Sequence, residues 1–212
     1  MKIQVIPVTP FAQNCSLLMC QQSGKAAVVD PGGDLELILK AADVAGVEIE
    51  KILLTHAHID HAGATADLSR RLVVPIEGPH RDDQFWIDAL PAQAEMFGFP
   101  QAERFTPNRW LEQGDTVEVG LIHLEVLHCP GHTPGHVVFF HRNSQTAIVG
   151  DVLFKGSIGR TDFPRGNHQQ LLDSIRKRLW PLGNDVHFVP GHGPGSSFGQ
   201  ERRSNPFVGD GV

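Results

Sequence analysis

Short apolar runs and stretches of helical periodicity alternate along this chain, which predicts a fold of both strands and helices. In the first half, apolar runs predict strands at 2–8, 15–20, 25–30 and 52–54. Before the fourth strand, apolar residues three and four positions apart predict a helix that Asp34 caps and Gly46 ends. The residues with this spacing are Leu35, Ile38, Leu39 and Ala42. A second helix is expected after the fourth strand, at about 61–72.

The second half is rich in strands as well. A short strand at 73–76 and a helix at 81–90 precede the segment 91–107, which has neither period and is expected to form a loop. That loop is either a lid over a substrate or a packed surface segment. Later apolar runs predict strands at 116–119, 121–127, 137–141, 146–149 and 186–189, with a helix at 171–179 and a short polar segment at 198–203.

Polar residues follow apolar strands in both halves of the chain, and this organisation suggests one α/β domain over residues 1–212. We expect two mixed β-sheets packed face to face with helices on the outside, which is a four-layer αββα sandwich. The polar residues that follow the strands would then lie along one edge of the sandwich. A functional site is expected at that edge.

The composition is ordinary for a globular protein and excludes several kinds of partner. Hydrophobic residues make up 41% of the 212 residues and charged residues 20%. A net charge of −6 without a long basic run argues against nucleic-acid binding. No apolar run approaches the roughly 18 residues of a membrane span, no signal peptide is evident, and three cysteines lack framework spacing, so a cytoplasmic protein is expected. Twelve histidines stand against no tyrosine, which excludes phenolic acid chemistry.

The segment 55–61, T-H-A-H-I-D-H, places three histidines and an aspartate directly after a predicted buried strand. In an extended segment His56 and His58 leave the same side of the backbone, so both can reach one ion. Asp60 and His61 lie where the chain turns into a helix and point elsewhere. Imidazole suits zinc, iron and copper, and a carboxylate adds a hard oxygen, so the segment predicts a transition-metal site. The alternative is a surface turn with scattered polar side chains.

Three later turns each add one possible ligand. His132 lies in a turn rich in proline and glycine, Asp151 follows an apolar strand, and His192 lies in a second such turn. Seven ligands are too many for one tetrahedral zinc and fit two metals that share a carboxylate. We assign His56, His58 and His132 to one ion, Asp60, His61 and His192 to the other, and Asp151 as the bridge. Two divalent ions are expected, zinc before iron or manganese, since this ligand set accepts all three.

These segments, in this order, resemble the metallo-β-lactamase superfamily. The resemblance rests on T-H-A-H-I-D-H at 55–61, G-H-T-P-G-H at 131–136, G-D at 150–151 and G-H-G at 191–193. Residues 150–163 resemble the glyoxalase II and persulfide dioxygenase branch, and the whole chain resembles short bacterial hydroxyacylglutathione hydrolases. The resemblance implies a thioester hydrolase of methylglyoxal detoxification that cleaves S-2-hydroxyacylglutathione, such as S-lactoylglutathione.

Two departures from the glyoxalase II pattern concern how the substrate is held. Longer members carry a C-terminal helical domain that contacts glutathione, whereas only 20 residues follow His192, so no such domain is expected. Those members also use tyrosines, which this chain lacks. Arg160 stands where the family places a lysine near the glutathione glycine, and its planar fork suits a carboxylate; an ion pair with Asp162 is the alternative. Lys155 is the second candidate for substrate binding.

The resemblance implies a reaction without a protein nucleophile. Water shared by two metals loses a proton near neutral pH, and the hydroxide attacks the thioester carbonyl. Asp60 is the expected catalytic residue, since it can orient the hydroxide or take its proton. Cys129 is expected in the core or next to the metal ligands rather than as a nucleophile, and His136 is expected to orient loops around the site. The expected partner is a small thioester, and the protein is expected to be a monomer or a small homo-oligomer.

Three other functions compete with thioester hydrolysis. A persulfide dioxygenase would hold one iron on His56, His132 and Asp151, so one iron per chain with oxygen uptake would favour it over a dinuclear hydrolase. A β-lactam hydrolase is disfavoured because no export signal is evident. A metal-binding scaffold without activity is disfavoured by the full ligand set.

Overall fold

A computed structural model describes every residue from Met1 to Val212. The first half forms a five-stranded sheet in the order β1-β2-β3-β4-β5. Its strands are β1 (Lys2–Val8), β2 (Gln13–Met19), β3 (Lys25–Val29), β4 (Glu48–Leu53) and β5 (Ile76–Glu77). The first three strands are antiparallel, whereas β3, β4 and β5 run parallel, because helix α1 (Leu35–Ala45) carries the chain back between β3 and β4.

The second half forms a six-stranded sheet in the order β13-β12-β9-β8-β7-β6. Its strands are β6 (Thr116–Val119), β7 (Ile122–His128), β8 (Val137–His141), β9 (Thr146–Gly150), β12 (His187–Pro190) and β13 (Ser196–Ser197). A small hairpin of β10 (Leu153–Phe154) and β11 (Ser157–Ile158) follows β9. Strands β9 and β12 are parallel, so their carboxyl ends meet at one edge of this sheet.

Six further helices cover the outer faces of the sheets. They are α2 (Ile59–Ala62), α3 (Thr65–Leu72), α4 (Gln84–Asp88), α5 (Leu90–Phe97), α6 (His168–Ser174) and α7 (Phe198–Ser204). A 3-10 turn at Arg81–Asp83 precedes α4, and α6 continues as a π-helical segment at Ile175–Leu179. None of these helices has the length and apolar character that crossing a bilayer requires.

Neighbouring residues on a strand pack in two different hydrophobic layers, because successive side chains point to opposite faces of a sheet. On β4, Ile52 packs outward with the helices while Leu53 packs between the sheets. On β8, Phe139 packs between the sheets while Phe140 packs outward against α6 and α7. The resulting order of helices, sheet, sheet and helices confirms the predicted αββα sandwich.

Four local predictions were wrong. The strand expected at 73–76 shares only Ile76 with β5, because Val73 ends α3 in a left-handed conformation with φ 56°. Asp34 does not cap α1 with its side chain, because its carboxylate instead accepts a hydrogen bond from the Thr9 backbone N–H at 2.7 Å. The helix expected at 61–72 is two helices, α2 and α3, since the Ala64 N–H leaves the helical pattern and donates to the Pro31 carbonyl. The expected loop 91–107 begins inside helix α5, where the buried polar side chain of Gln93 interrupts the apolar period.

Candidate metal centre

All seven predicted ligands lie at the edge where β4, β9 and β12 end. The nitrogens of His56, His58 and His132 lie within 4.8 Å of one another, and His132 Nε2 is 3.0 Å from His58 Nδ1. The second group places Asp60 Oδ2 3.1 Å from His192 Nε2 and 3.8 Å from His61 Nε2. The two groups match the two sets assigned from the sequence. Their role as metal ligands stays a prediction.

Asp151 lies between the two groups. Its Oδ2 is 3.6 Å from His132 Nε2 in the first group and 3.8 Å from His192 Nε2 in the second. Its Oδ1 is 3.4 Å from His61 Nε2. One carboxylate therefore faces both groups, as a bridging ligand must.

Hydrogen bonds at Nδ1 fix the orientation of three of these imidazoles. His132 Nδ1 donates to the Arg160 carbonyl at 2.7 Å, and His192 Nδ1 donates to the Phe11 carbonyl at 3.2 Å. His61 Nδ1 lies 2.9 Å from the Asp30 carboxylate. Since a carbonyl or a carboxylate can only accept, Nδ1 carries a proton and Nε2 is the nitrogen that faces the site.

The donor atoms fit divalent cations. Nε2 of His56, Nε2 of His61 and Oδ1 of Asp151 are buried without a hydrogen-bond partner. Buried polar atoms are rarely left unpaired, so several of them converging on one place indicate a missing partner. Nitrogen and carboxylate oxygen are ligands that zinc, iron and manganese accept.

The two groups differ in their electrostatics. Burial lowers the pKa of His56, His58 and His132, so these imidazoles are neutral. Burial also acts to lower the pKa of His61, but the Asp151 and Asp60 carboxylates outweigh it and raise that pKa well above its ordinary value. Without a metal ion, the His61 imidazole of the second group therefore carries an additional proton, which a bound cation would replace.

The carboxylates of the site are ionised. Burial acts to raise the pKa of Asp60 and of Asp151, but the charges and hydrogen bonds of His61 and His192 together outweigh it, and both pKa values lie below the ordinary range. Burial acts to lower the pKa of His192, but its hydrogen bond to Asp60 and the charges of Asp151 and Asp60 together raise that pKa. The second group is thus a set of opposite charges that a divalent cation can replace.

Asp30 is a site residue that the sequence reasoning missed. It adopts a left-handed backbone conformation, with φ 54°, directly after β3. Its carboxylate accepts hydrogen bonds from the Thr55 N–H at 2.7 Å and the Thr55 hydroxyl at 2.6 Å, besides that of His61. The signal for Asp30 was the one used for Asp151, namely an aspartate directly after an apolar strand.

Asp83 joins the two histidine-bearing loops and was also missed. Its buried carboxylate accepts hydrogen bonds from the Ala57 N–H at 3.1 Å, the Thr133 hydroxyl at 2.8 Å and the Gly135 N–H at 2.6 Å. Ala57 separates His56 from His58, and Thr133 follows His132. Asp83 therefore fixes the distance between the loops that form the first group.

Close backbone approach explains two of the glycines in the motifs. Gly150 has φ 49°, and a Cβ there would collide with the His136 ring and the Thr55 hydroxyl. His136 Nε2 accepts the Asp151 backbone N–H at 3.0 Å, so it positions the loop of Asp151, as expected. A Cβ on Gly191 would collide with the Asp151 carboxylate.

The two predicted substrate-binding cations differ in their surroundings. The Arg160 guanidinium forms two hydrogen bonds with Asp162, both 2.7 Å, and lies 4.4 Å from the centre of the Phe163 ring. The alternative interpretation, an ion pair with Asp162, is therefore what the structure shows. Lys155 is exposed and has no ion-pair or hydrogen-bond partner. Both line a cavity of about 1180 Å³ that also contains Asp60, Asp151 and three of the site histidines.

Cys129 lies in the core, as predicted. It is fully buried and packs in the layer between the second sheet and the helices α6 and α7. Burial raises the pKa of its thiol to about 12. Cys129 is therefore not a nucleophile of this site.

The sequence matches the family described as the metallo-beta-lactamase superfamily over residues 8–192. The chain belongs to the metallo-β-lactamase superfamily. A hydroxyacylglutathione hydrolase, GloC, of Haemophilus influenzae is 44% identical over 209 residues, which cover 98% of each chain. The prediction of a metallohydrolase of this superfamily is confirmed.

Two solved structures share the fold over nearly the whole chain. The B3 metallo-β-lactamase BLEG-1 has a TM-score of 0.90 and 33% identity, and covers 98% of this chain and 99% of its own. TTHA1623, solved in a di-iron-bound form, has a TM-score of 0.88 and 36% identity, and covers 97% of this chain and 100% of its own. The fold is therefore found both in a lactamase and in a protein that binds two irons.

Proposed function

We propose that this protein hydrolyses S-2-hydroxyacylglutathione thioesters, such as S-lactoylglutathione, with two divalent metal ions, zinc before iron or manganese. The observation that carries the proposal is the pair of ligand groups joined by Asp151 at the wall of a large cavity. The similarity to the hydrolase of Haemophilus influenzae supports the substrate class.

Two divalent cations at these groups would lower the pKa of a water molecule and polarise the thioester carbonyl. His56, His58 and His132 would hold one cation and Asp60, His61 and His192 the other. Asp60 lines the cavity as an ionised carboxylate, so it can accept a hydrogen bond from the attacking water and fix its orientation.

Two aromatic side chains make the surroundings of the first group partly apolar. The Trp86 and Phe163 rings each lie 4.6 Å from the His58 ring, measured between centroids. An apolar surround of this kind strengthens electrostatic interactions at the site. It also favours a thioester, whose carbonyl loses less hydration than a charged group would.

Lys155 is proposed to bind a carboxylate of glutathione. It lines the cavity and has no partner in the protein, so its charge is available to a ligand. Arg160 is proposed as a second contact. It must either break its ion pair with Asp162 or bind the carboxylate while that ion pair remains. Replacing Lys155 with Met is therefore expected to raise KM more than the same change at Arg160.

The test is elemental analysis and a thioester panel on the same preparation. About two metals per chain, with release of glutathione from S-lactoylglutathione, is the expected result. One iron per chain, with O₂ consumed when a persulfide is supplied as substrate, would instead show the dioxygenase reaction. Two bound metals without cleavage of any thioester would refute the proposed function.

A further inference from the structure

The cavity beside the ligand groups has two walls that differ in charge. One wall comes from the second half of the chain and carries the cations Lys155 and Arg160 beside apolar residues such as Phe154, Ile158 and Phe163. The other wall comes from the turn between β1 and β2 and from the region of α4 and α5, and it carries no charge. It consists of Phe11, Ala89, Ala92, Met96 and Phe97, which we call the apolar wall.

The apolar wall exposes large hydrophobic side chains. Phe11 is 46% exposed, Met96 76% and Phe97 45%. The rings of Phe11 and Phe97 meet edge to face, with centroids 6.1 Å apart. Clustered apolar surface that lines a cavity, rather than lying singly on the surface, indicates a binding site for an apolar group.

The five residues of the apolar wall have no polar side chain. Gln93 on α5 also lines the cavity, but its buried amide already has partners in the protein. Its amide nitrogen donates to the Trp86 carbonyl at 3.0 Å, and its amide oxygen accepts the Ile59 N–H at 3.0 Å. Lys155 and Arg160 are the only lysine and arginine that line the cavity, so the carboxylates of glutathione are expected on the wall of Lys155.

A lactoyl group is too small to use the apolar wall. It offers one methyl group, whereas the cavity of about 1180 Å³ exceeds the 300–1,000 Å³ typical of sites for drug-sized ligands. If glutathione occupies the wall of Lys155 and the carbonyl lies at the ligand groups, the apolar wall is the part of the lining left for the acyl chain.

We propose that the apolar wall binds the acyl chain, so that the preferred substrates are 2-hydroxyacyl thioesters whose acyl group is aromatic or a longer alkyl chain. This inference rests on the proposed thioester hydrolysis. It assigns Met96 and Phe97 as specificity-determining residues. The competing occupant of the wall is a second copy of the chain.

The first experiment compares S-mandeloylglutathione with S-lactoylglutathione, which differ by a phenyl ring in place of a methyl group. Wild-type protein is expected to show at least a tenfold higher kcat/KM for the mandeloyl substrate. Phe97→Ser is expected to lower this ratio at least fivefold. Phe207→Ser is the matched control, because Phe207 is 46% exposed and lies outside the cavity, and it should leave the ratio unchanged.

The second experiment measures binding without turnover. S-methyl-, S-butyl- and S-hexylglutathione are titrated into the metal-loaded protein by calorimetry. Burying a methylene completely strengthens binding about fourfold, and contact with one wall is expected to give about twofold each, or roughly 30-fold from methyl to hexyl. Met96→Ser should flatten this dependence on chain length, whereas Phe207→Ser should not.

The outcomes separate the two proposals. Cleavage of S-lactoylglutathione, with no gain from larger acyl or alkyl groups, would overturn the role of the apolar wall and leave the proposed function standing. Failure to cleave any thioester would overturn both. A change of oligomeric state in Phe97→Ser, with an unchanged substrate ratio, would show that the wall is an interface between copies and would overturn this inference.

Discussion

Replacing Asp30 with Asn is expected to weaken one metal site without unfolding the protein. Asn tolerates the left-handed backbone conformation of Asp30, so the change adds no strain there. Its amide must however place an NH₂ group where one carboxylate oxygen was. The Thr55 N–H donates to Oδ1 at 2.7 Å, so the amide oxygen of Asn is expected at that position, where it can accept the same hydrogen bond. The NH₂ group then faces His61 Nδ1.

A donor facing His61 Nδ1 reverses the tautomer of this imidazole. Nδ1 then accepts, and the proton moves to Nε2, the atom that faces Asp60 and Asp151. A cation can bind there only if that proton is displaced. Loss of an outer partner of a metal-binding histidine costs 10- to 100-fold in metal affinity, or about 1.4–2.7 kcal/mol.

The assay is competition with a chromophoric chelator, which resolves the affinities of the two sites. Asp30→Asn is expected to lower one of the two affinities, that of the ion held by His61, 10- to 100-fold and to leave the other within about threefold. Asp34→Asn is the matched control, because Asp34 has φ 49° and also accepts a backbone N–H, but lies outside the ligand groups. Two ions bound with unchanged affinity in Asp30→Asn would refute the role assigned to this carboxylate.

Three other predictions concern metal removal, pH and the core thiol. Dialysis against a chelator should lower Tm by roughly 8–16 °C in calorimetry, because ligand at 1,000 times its Kd stabilises by about 4 kcal/mol. In metal-free protein, the raised pKa of His61 gives stability that is complete below pH 6.5 and is lost as the pH rises through that pKa. The Tm gap between loaded and metal-free protein should therefore widen from pH 7 to pH 9; a constant gap would contradict it. Iodoacetamide should leave activity intact, because the Cys129 thiol is buried with a pKa of about 12, and mass spectrometry will show whether it stays unmodified.

The ligand groups could be predicted because each residue follows an apolar strand, and strand ends meet at one edge of a sandwich. The two-residue spacing of His56 and His58 predicts that both side chains lie on the same side of the backbone. The proline and glycine residues around His132 and His192 predict turns there. The order of the strands in each sheet was not predictable in this way. It depends on long-range pairing, such as that of β9 with β12, which no local pattern encodes.

Residues that act through hydrogen bonds were harder to predict than residues that bind directly. Asp83 lies 26 positions from Ala57 and 52 from Gly135, so only the folded chain shows that one carboxylate joins them. Helix α5 was missed because the polar residue Gln93 occupies a buried position and interrupts the apolar period. Its amide forms hydrogen bonds with Ile59 and Trp86 that only the folded chain shows. Arg160 was assigned by its position in the motif, whereas its surroundings give it Asp162 as a partner.

The charge around the two groups also indicates how a thioester would lie in the site. Three neutral histidines form the first group, while Asp60 belongs to the second and Asp30 supports it through His61. With Asp151 shared, a cation at the first group keeps more of its positive charge than one at the second. Negative charge develops on the carbonyl oxygen when the thioester is attacked, so this oxygen is expected on the side of His56 and His58. The water would then approach from the side of Asp60, which leaves the acyl chain to extend along the apolar wall.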